Sequence, residues 1–98
     1  MSDCEFAELA SLDLEDITAY VAERESIAQA LRLVDVLEAK CHSLAETPGM
    51  ARLRPEFGSG IQSFNVWSFL IFYRQVEHGI QVIRVVHGAR LIDETFFS

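Results

Sequence analysis

The stretch that most constrains this chain is Trp67 to Gly88, where two runs rich in Phe, Ile, Val and Tyr flank the break Glu77-His78-Gly79. That composition predicts a β-hairpin, with glycine supplying the φ > 0 position a tight reversal requires. With Val76 facing Ile80 across a three-residue loop, alternation sorts the side chains into two faces. One carries Phe69, Ile71, Tyr73, Ile83 and Val85 and ends at Gln75, Gln81 and His87. The other carries Leu70, Phe72, Val76, Ile80, Val82 and Val86, interrupted by Arg74 and Arg84. The first suits the floor of a core; the second, with two guanidiniums among aliphatics, suits a surface that meets water or a partner. A two-residue His-Gly loop would instead place Arg84 opposite Tyr73.

The 98 residues allow one domain, residues 1–98, and a chain with half its residues hydrophobic can bury a core without metals or cross-links. No apolar run reaches the ~18 residues of a membrane span and the N-terminus lacks the pattern of a signal peptide, so a cytoplasmic, soluble protein is expected. Cys4 and Cys41 have no CxxC spacing and read as two reduced thiols. The net charge of −7 is uneven. Residues 1–48 hold 11 Asp and Glu against 3 Lys and Arg, whereas residues 49–98 hold 4 against 5. So acidic a chain lacks the cations that drive general nucleic-acid binding, and no direct nucleic-acid partner is expected.

Upstream, Cys4 to Ala7 reads as a short edge strand. Leu12, Leu14, Ile17, Tyr20 and Val21 recur at helical spacing, with Ser11 placed to cap and Asp13, Glu15 and Asp16 in the first turn. After a joint at Arg24-Glu25, Ser26 and Gln29 form a capping-box pattern. The helix that follows carries Ile27, Leu31, Val34, Leu37, Cys41 and Leu44 on one stripe and ends at Thr47-Pro48-Gly49. So short a joint implies an antiparallel helical hairpin whose apolar side covers something flat. A turn-rich crossing from Met50 to Gly60 carries Arg52 and Arg54. Ile61 to Val66 then reads as a strand whose Ile61 is out of phase with Phe64 and Val66, a spacing that admits a bulge.

These pieces together resemble the ParE branch of the RelE/ParE toxin superfamily of bacterial toxin–antitoxin (plasmid stabilisation) modules. The residues that carry the resemblance are Asp13-Leu-Glu-Asp-Ile17 with Tyr20, Leu44 to Met50, Phe69-Leu-Ile-Phe-Tyr-Arg74, and Ile83-Arg-Val-Val-His-Gly-Ala-Arg90. The match spans about residues 4–91. It implies an α+β fold of order β-α-α-β-β-β, with a short N-terminal strand and a helical hairpin packed on an antiparallel sheet. It also implies a neutralising antitoxin and, as for several ParE members, inhibition of DNA gyrase. A homodimer or a heterotetramer with the antitoxin is compatible with it. Two features depart from the family: its toxins are commonly basic, and the RelE-branch mRNA nucleases carry a basic residue three positions before the third-strand tyrosine, where this chain has Leu70.

A metal-free RNase needs a base, an acid and cations around the phosphate. His87, Arg84 and Arg74, with Arg52 and Arg54, are the groups that could supply them; no lysine stands nearby, Lys40 lying on the second helix. Each also has a plain structural role, the arginines as sheet cations and His87 as a strand-end hydrogen-bonding group. His42 and Cys41 are adjacent on a helix and diverge, so no metal pair is expected, and no nucleotide-binding motif is present, so no cofactor is. Protein binding is the better account. The expected partner surface comprises Arg52, Arg54, Arg74, Arg84, His87 and Arg90, with Leu70, Phe72 and Val82 as its apolar, antitoxin-facing part. Phe96 and Phe97 are two further candidates for docking on the body or on a partner.

Overall fold

The computed structural model describes residues 3–88, the Met50 side chain excepted. Strand β1 is Asp3–Phe6, helix α1 Glu8–Arg24, helix α2 Ile27–Glu46, β2 Arg52–Leu53, β3 Ile61–Val66, β4 Phe69–Val76 and β5 Gly79–His87. Short 3-10 turns at Pro48–Met50 and Pro55–Phe57 flank β2. The five strands form one sheet in the order β1-β5-β4-β3-β2. All neighbours are antiparallel except β1, which runs parallel to β5, so the sheet is mixed and gains a two-residue strand at the Arg52 end. A parallel pair requires a long connection, and the helical hairpin and the strands after it supply that length between β1 and β5.

Helix α1 starts at Glu8, earlier than the position of Ser11 suggests, and its N-cap Ala7 makes no side-chain cap. The Ser26 cap of α2 forms as expected, its Oγ accepting from the Gln29 amide at 3.0 Å. On α2 the core takes Ala30, Leu33, Leu37, Cys41, Leu44 and Ala45, leaving Ile27 and Leu31 exposed. On α1 the inward stripe is Ala10, Leu14, Ile17 and Val21, while Leu12 and Tyr20 face solvent. Both helices thus carry a second apolar stripe that the sheet does not use.

The hairpin corrects the expected register. The loop is Glu77-His78, with Val76 opposite Gly79, so Tyr73 faces Val82; Ile83 is then an extra residue, and Phe72 faces Arg84 and Ile71 faces Val85. A β-bulge therefore shifts the pairing by one position along the strand. Beyond it the expected partners hold; before it every β5 side chain changes face. Ile80 and Val82 consequently lie under the helices with Phe64, Val66, Phe69, Ile71, Tyr73 and Val85, and Ile83 lies on the other face. Strand β3 pairs with β4 without a bulge, Ile61 simply serving the second face.

Gly79 is required where it stands. It has φ +150, and a Cβ there would overlap the Asp3 carbonyl of the parallel strand β1. Strand β1 ends at Phe6, opposite Val82, so among the described residues no strand pairs with β5 on that side further on. Asp13 of α1 takes over: its Oδ2 accepts from the Val85 amide at 3.0 Å.

Candidate functional site

Three surfaces emerge from this architecture. The first is the sheet face away from the helices, where Ile61, Phe72 and Val86 pack with the half-buried Phe57, Leu70 and Ile83. The turn at Pro55–Phe57 folds over its centre, and Phe57 meets Phe72 edge-on at 5.5 Å. Arg54 lies over both rings, 4.9 Å from the centroid of Phe57 and 6.0 Å from that of Phe72, with Nη1 donating to Ser63 at 3.2 Å and Nε to Glu56 at 3.0 Å. The Glu56 carboxyl is lowered by hydrogen bonds from its own backbone and from Arg54. Phe72, expected as an exposed contact, is therefore fully buried beneath a lid of Phe57 and Arg54.

The other expected residues divide. Leu70 is half-buried on this face, whereas Val82 is sealed between sheet and helices because the register before the bulge turned it inward. Arg52 is exposed on β2; Arg74 is exposed and donates from Nε to Gln81 at 2.8 Å. Arg84 is drawn around the sheet edge to Asp13, with Nε–Oδ2 at 2.7 Å and Nη2–Oδ1 at 3.0 Å. Only 14% of its side chain and 16% of that of Asp13 is exposed, and hydrogen bonding to Asp13 holds the guanidinium even more firmly in its charged form. Arg90, Phe96 and Phe97 lie outside the described residues.

The second surface is the end of the sheet where β3 turns into β4. Trp67 holds φ +53, a left-handed conformation uncommon for a bulky side chain, and 45% of it is exposed. His87 pairs with Phe69 across the strands and meets its ring edge-on at 5.5 Å. A cleft of about 370 Å³ lies between Asp16, Ile17 and Tyr20 of α1 and this Phe69–His87 pair. A second, of about 410 Å³, runs past Trp67, Leu70 and His87. Tyr20 is half exposed, and Arg24 stacks over it at 5.1 Å. The sequence placed strands on either side of Trp67 but did not mark this turn, because a tryptophan at φ > 0 has no turn signature.

His87 and Arg74 do not share a site. His87 stands on the helix side at the Phe69 end, whereas Arg74 pairs with Gln81 five residues along β4 and points to the other face. At roughly 3.4 Å per residue they are separated by about 17 Å along the strand. Arg74 is therefore remote from His87, and Arg84 is engaged by Asp13.

The third surface is a groove of about 680 Å³ along the helical hairpin, floored by Phe6, Leu14, Ala22, Val34 and Leu37 and edged by Glu15 and Glu38. Sequence reasoning assigned the helical stripes to the core and so missed it. Among the described residues no cluster of His, Cys, Asp and Glu could hold a metal ion, and no helix is long and apolar enough to cross a membrane.

Comparison with known proteins gives this arrangement a place. The chain is 33% identical over 78 residues to Toxin ParE1 of Caulobacter vibrioides, covering 80% of each sequence. Its fold matches a solved structure described as the chromosomal ParDE TA system from P. aeruginosa, with a TM-score of 0.72 and 20% identity over 89% of this chain and 96% of that one. Residues 4–92 match the family model for the ParE toxin of the type II toxin–antitoxin system, parDE. An α+β fold of two helices on a mixed five-stranded sheet and a family match over nearly the whole chain lead to one conclusion: this protein belongs to the ParE toxin family of type II toxin–antitoxin systems.

Proposed function

We infer that this protein is a toxin that acts by binding another protein, with DNA gyrase as the target, and that a cognate antitoxin neutralises it. The observation that carries the binding mode is the separation of Arg74 from His87 and the engagement of Arg84 by Asp13, set against large apolar side chains left in solvent: Ile27 is 71% exposed and Leu31 61%. Bond cleavage needs converging groups; recognition needs apolar anchors with a polar rim.

The helical groove is the best seat for the antitoxin. It is apolar along its floor and acidic at its edges, so the complementary segment carries aliphatic side chains flanked by lysine or arginine, and it orders as it binds. Arg52, Arg74 and the Trp67 end remain for acidic parts of the antitoxin or for the target. The family resemblance alone supplies gyrase as that target.

Purified protein added to a gyrase supercoiling assay tests the reading. Loss of supercoiling that the antitoxin reverses is the expected result. No effect at high molar excess removes gyrase as the target. Cleavage of translated messages that disappears in His87→Ala would replace the binding mechanism with an RNase. Unimpeded growth on expression without an antitoxin, with the protein soluble, would make the chain a detoxified binding module.

A further inference from the structure

Cys4 and Cys41 lie far apart in the chain, on β1 and α2, yet the fold brings both into one apolar cluster and onto the wall of one cavity. That cavity, of about 320 Å³, is lined by Cys4, Phe6, Glu38, Cys41 and His42. Both are free thiols, Cys41 buried and Cys4 half-buried. A further opening of about 500 Å³, lined by Cys4 with Asp3, Glu5, His42, Glu77 and His78, reaches Cys4 from the strand edge. Oxidants therefore have access to Cys4, and Cys41 is screened.

We propose that Cys4 and Cys41 form an oxidisable dithiol, a peroxide-responsive modification site whose disulfide fastens the edge strand β1 to helix α2. The roles differ because the surroundings differ. A hydrogen bond from Cys41 lowers the Cys4 thiol, outweighing its burial and the nearby Glu5 carboxylate. Cys41 is pushed up by that same interaction with Cys4, then by burial and by the charges of Cys4 and Glu38. Cys4 therefore ionises more readily than Cys41, and thiolate is the reactive form.

In the first step the Cys4 sulfur attacks hydrogen peroxide. An S–O bond forms as the O–O bond breaks, giving Cys4 sulfenic acid and hydroxide, and the sulfur gives up two electrons to the peroxide. In the second the Cys41 sulfur attacks the Cys4 sulfur. The S–S bond forms, the S–O bond breaks, and the Cys41 proton leaves with the hydroxyl as water. The disulfide closes a loop containing all of α1 and ties down a strand that, among the described residues, is paired along β5 alone. The oxidised protein is consequently harder to unfold at its N-terminal edge.

The test uses the full-length protein. It is treated with hydrogen peroxide, denatured in N-ethylmaleimide and weighed intact, and its peptides are mapped. Untreated protein takes two maleimides; treated protein is expected to take none while staying monomeric, with the Cys4 and Cys41 peptides joined. In Cys41→Ser, dimedone should label Cys4, and in Cys4→Ser peroxide should leave Cys41 unlabelled. Amide exchange across residues 3–6 should slow in the oxidised form. Two maleimides after treatment, thiol loss only through dimers, dimedone on Cys41, or unchanged exchange would each overturn the proposal.

Discussion

Replacing Asp13 by alanine should be among the most damaging single changes to a polar residue of this protein. Its carboxylate accepts from Arg84 Nε at 2.7 Å, from Arg84 Nη2 at 3.0 Å and from the Val85 amide at 3.0 Å. Hydrogen bonds to charged groups contribute about 1.5–3 kcal/mol each, but three on one carboxylate do not add. Removing one partner of a buried ion pair costs about 3–5 kcal/mol, because the other charge is left desolvated. Here 14% of the Arg84 side chain is exposed, so water can partly recover the guanidinium and the lower end applies, about 3 kcal/mol. For a domain of this size that corresponds to a drop in Tm of about 15 °C. Urea and thermal unfolding of the wild type, Asp13→Ala, Arg84→Met and the double variant form the assay. The double variant should lose about 1–2 kcal/mol less than the sum of the singles, since removing both charges leaves neither stranded. A cost below about 1 kcal/mol for Asp13→Ala, or strict additivity in the cycle, would refute the reasoning.

Other substitutions probe different joints of the structure. Gly79→Ala should destabilise by about 2–3 kcal/mol and speed amide exchange in residues 3–6, since the added methyl meets the Asp3 carbonyl; wild-type exchange there would show that β1 tolerates it. Ser26→Ala should cost about 1 kcal/mol through the lost cap on Gln29, read from urea midpoints. Trp67→Gly should leave stability within about 1 kcal/mol of wild type, relief of the left-handed backbone offsetting lost packing, while weakening target binding in a pull-down or supercoiling assay. Tyr73 donates to the Pro48 carbonyl at 2.8 Å, and burial raises its phenol above the ordinary value. A raised folded-state pKa means that the unfolded chain ionises first, so this residue's contribution is complete below about pH 10 and is lost as pH rises through the folded value. Tyr73→Phe should make the stability profile flatter above pH 10 while costing about 1 kcal/mol below it, as pH-dependent urea titrations would show.

Elements were legible because their signals are local. The Ser26 cap, the apolar runs of β4 and β5, the end of α2 at Pro48 and the family wording from Asp13 to Arg90 each depend on neighbours in the chain, and the family match over residues 4–92 bears the last of these out. Which of two apolar stripes a helix buries is not local. Ile27 and Leu31 fit the pattern as well as Ala30 and Leu33 do, and which pair lies inside is set by where α1 and the sheet are placed around the helix.

The candidate surface shows the same division more sharply. Alternation placed Phe69, Ile71 and Tyr73 correctly, but one extra residue at Ile83 carried Val82 inward, and no composition signals a bulge. Sequence by itself determined the two helices, the first strand and the three long strands in their order, the uneven charge and the family, since propensity and patterning act over a few residues; the two-residue strand at Arg52 was not among them. The tertiary structure alone decided that Arg84 is engaged by Asp13, that Phe72 is covered, and that Cys4 and Cys41 line one cavity, because each depends on where distant segments are brought together.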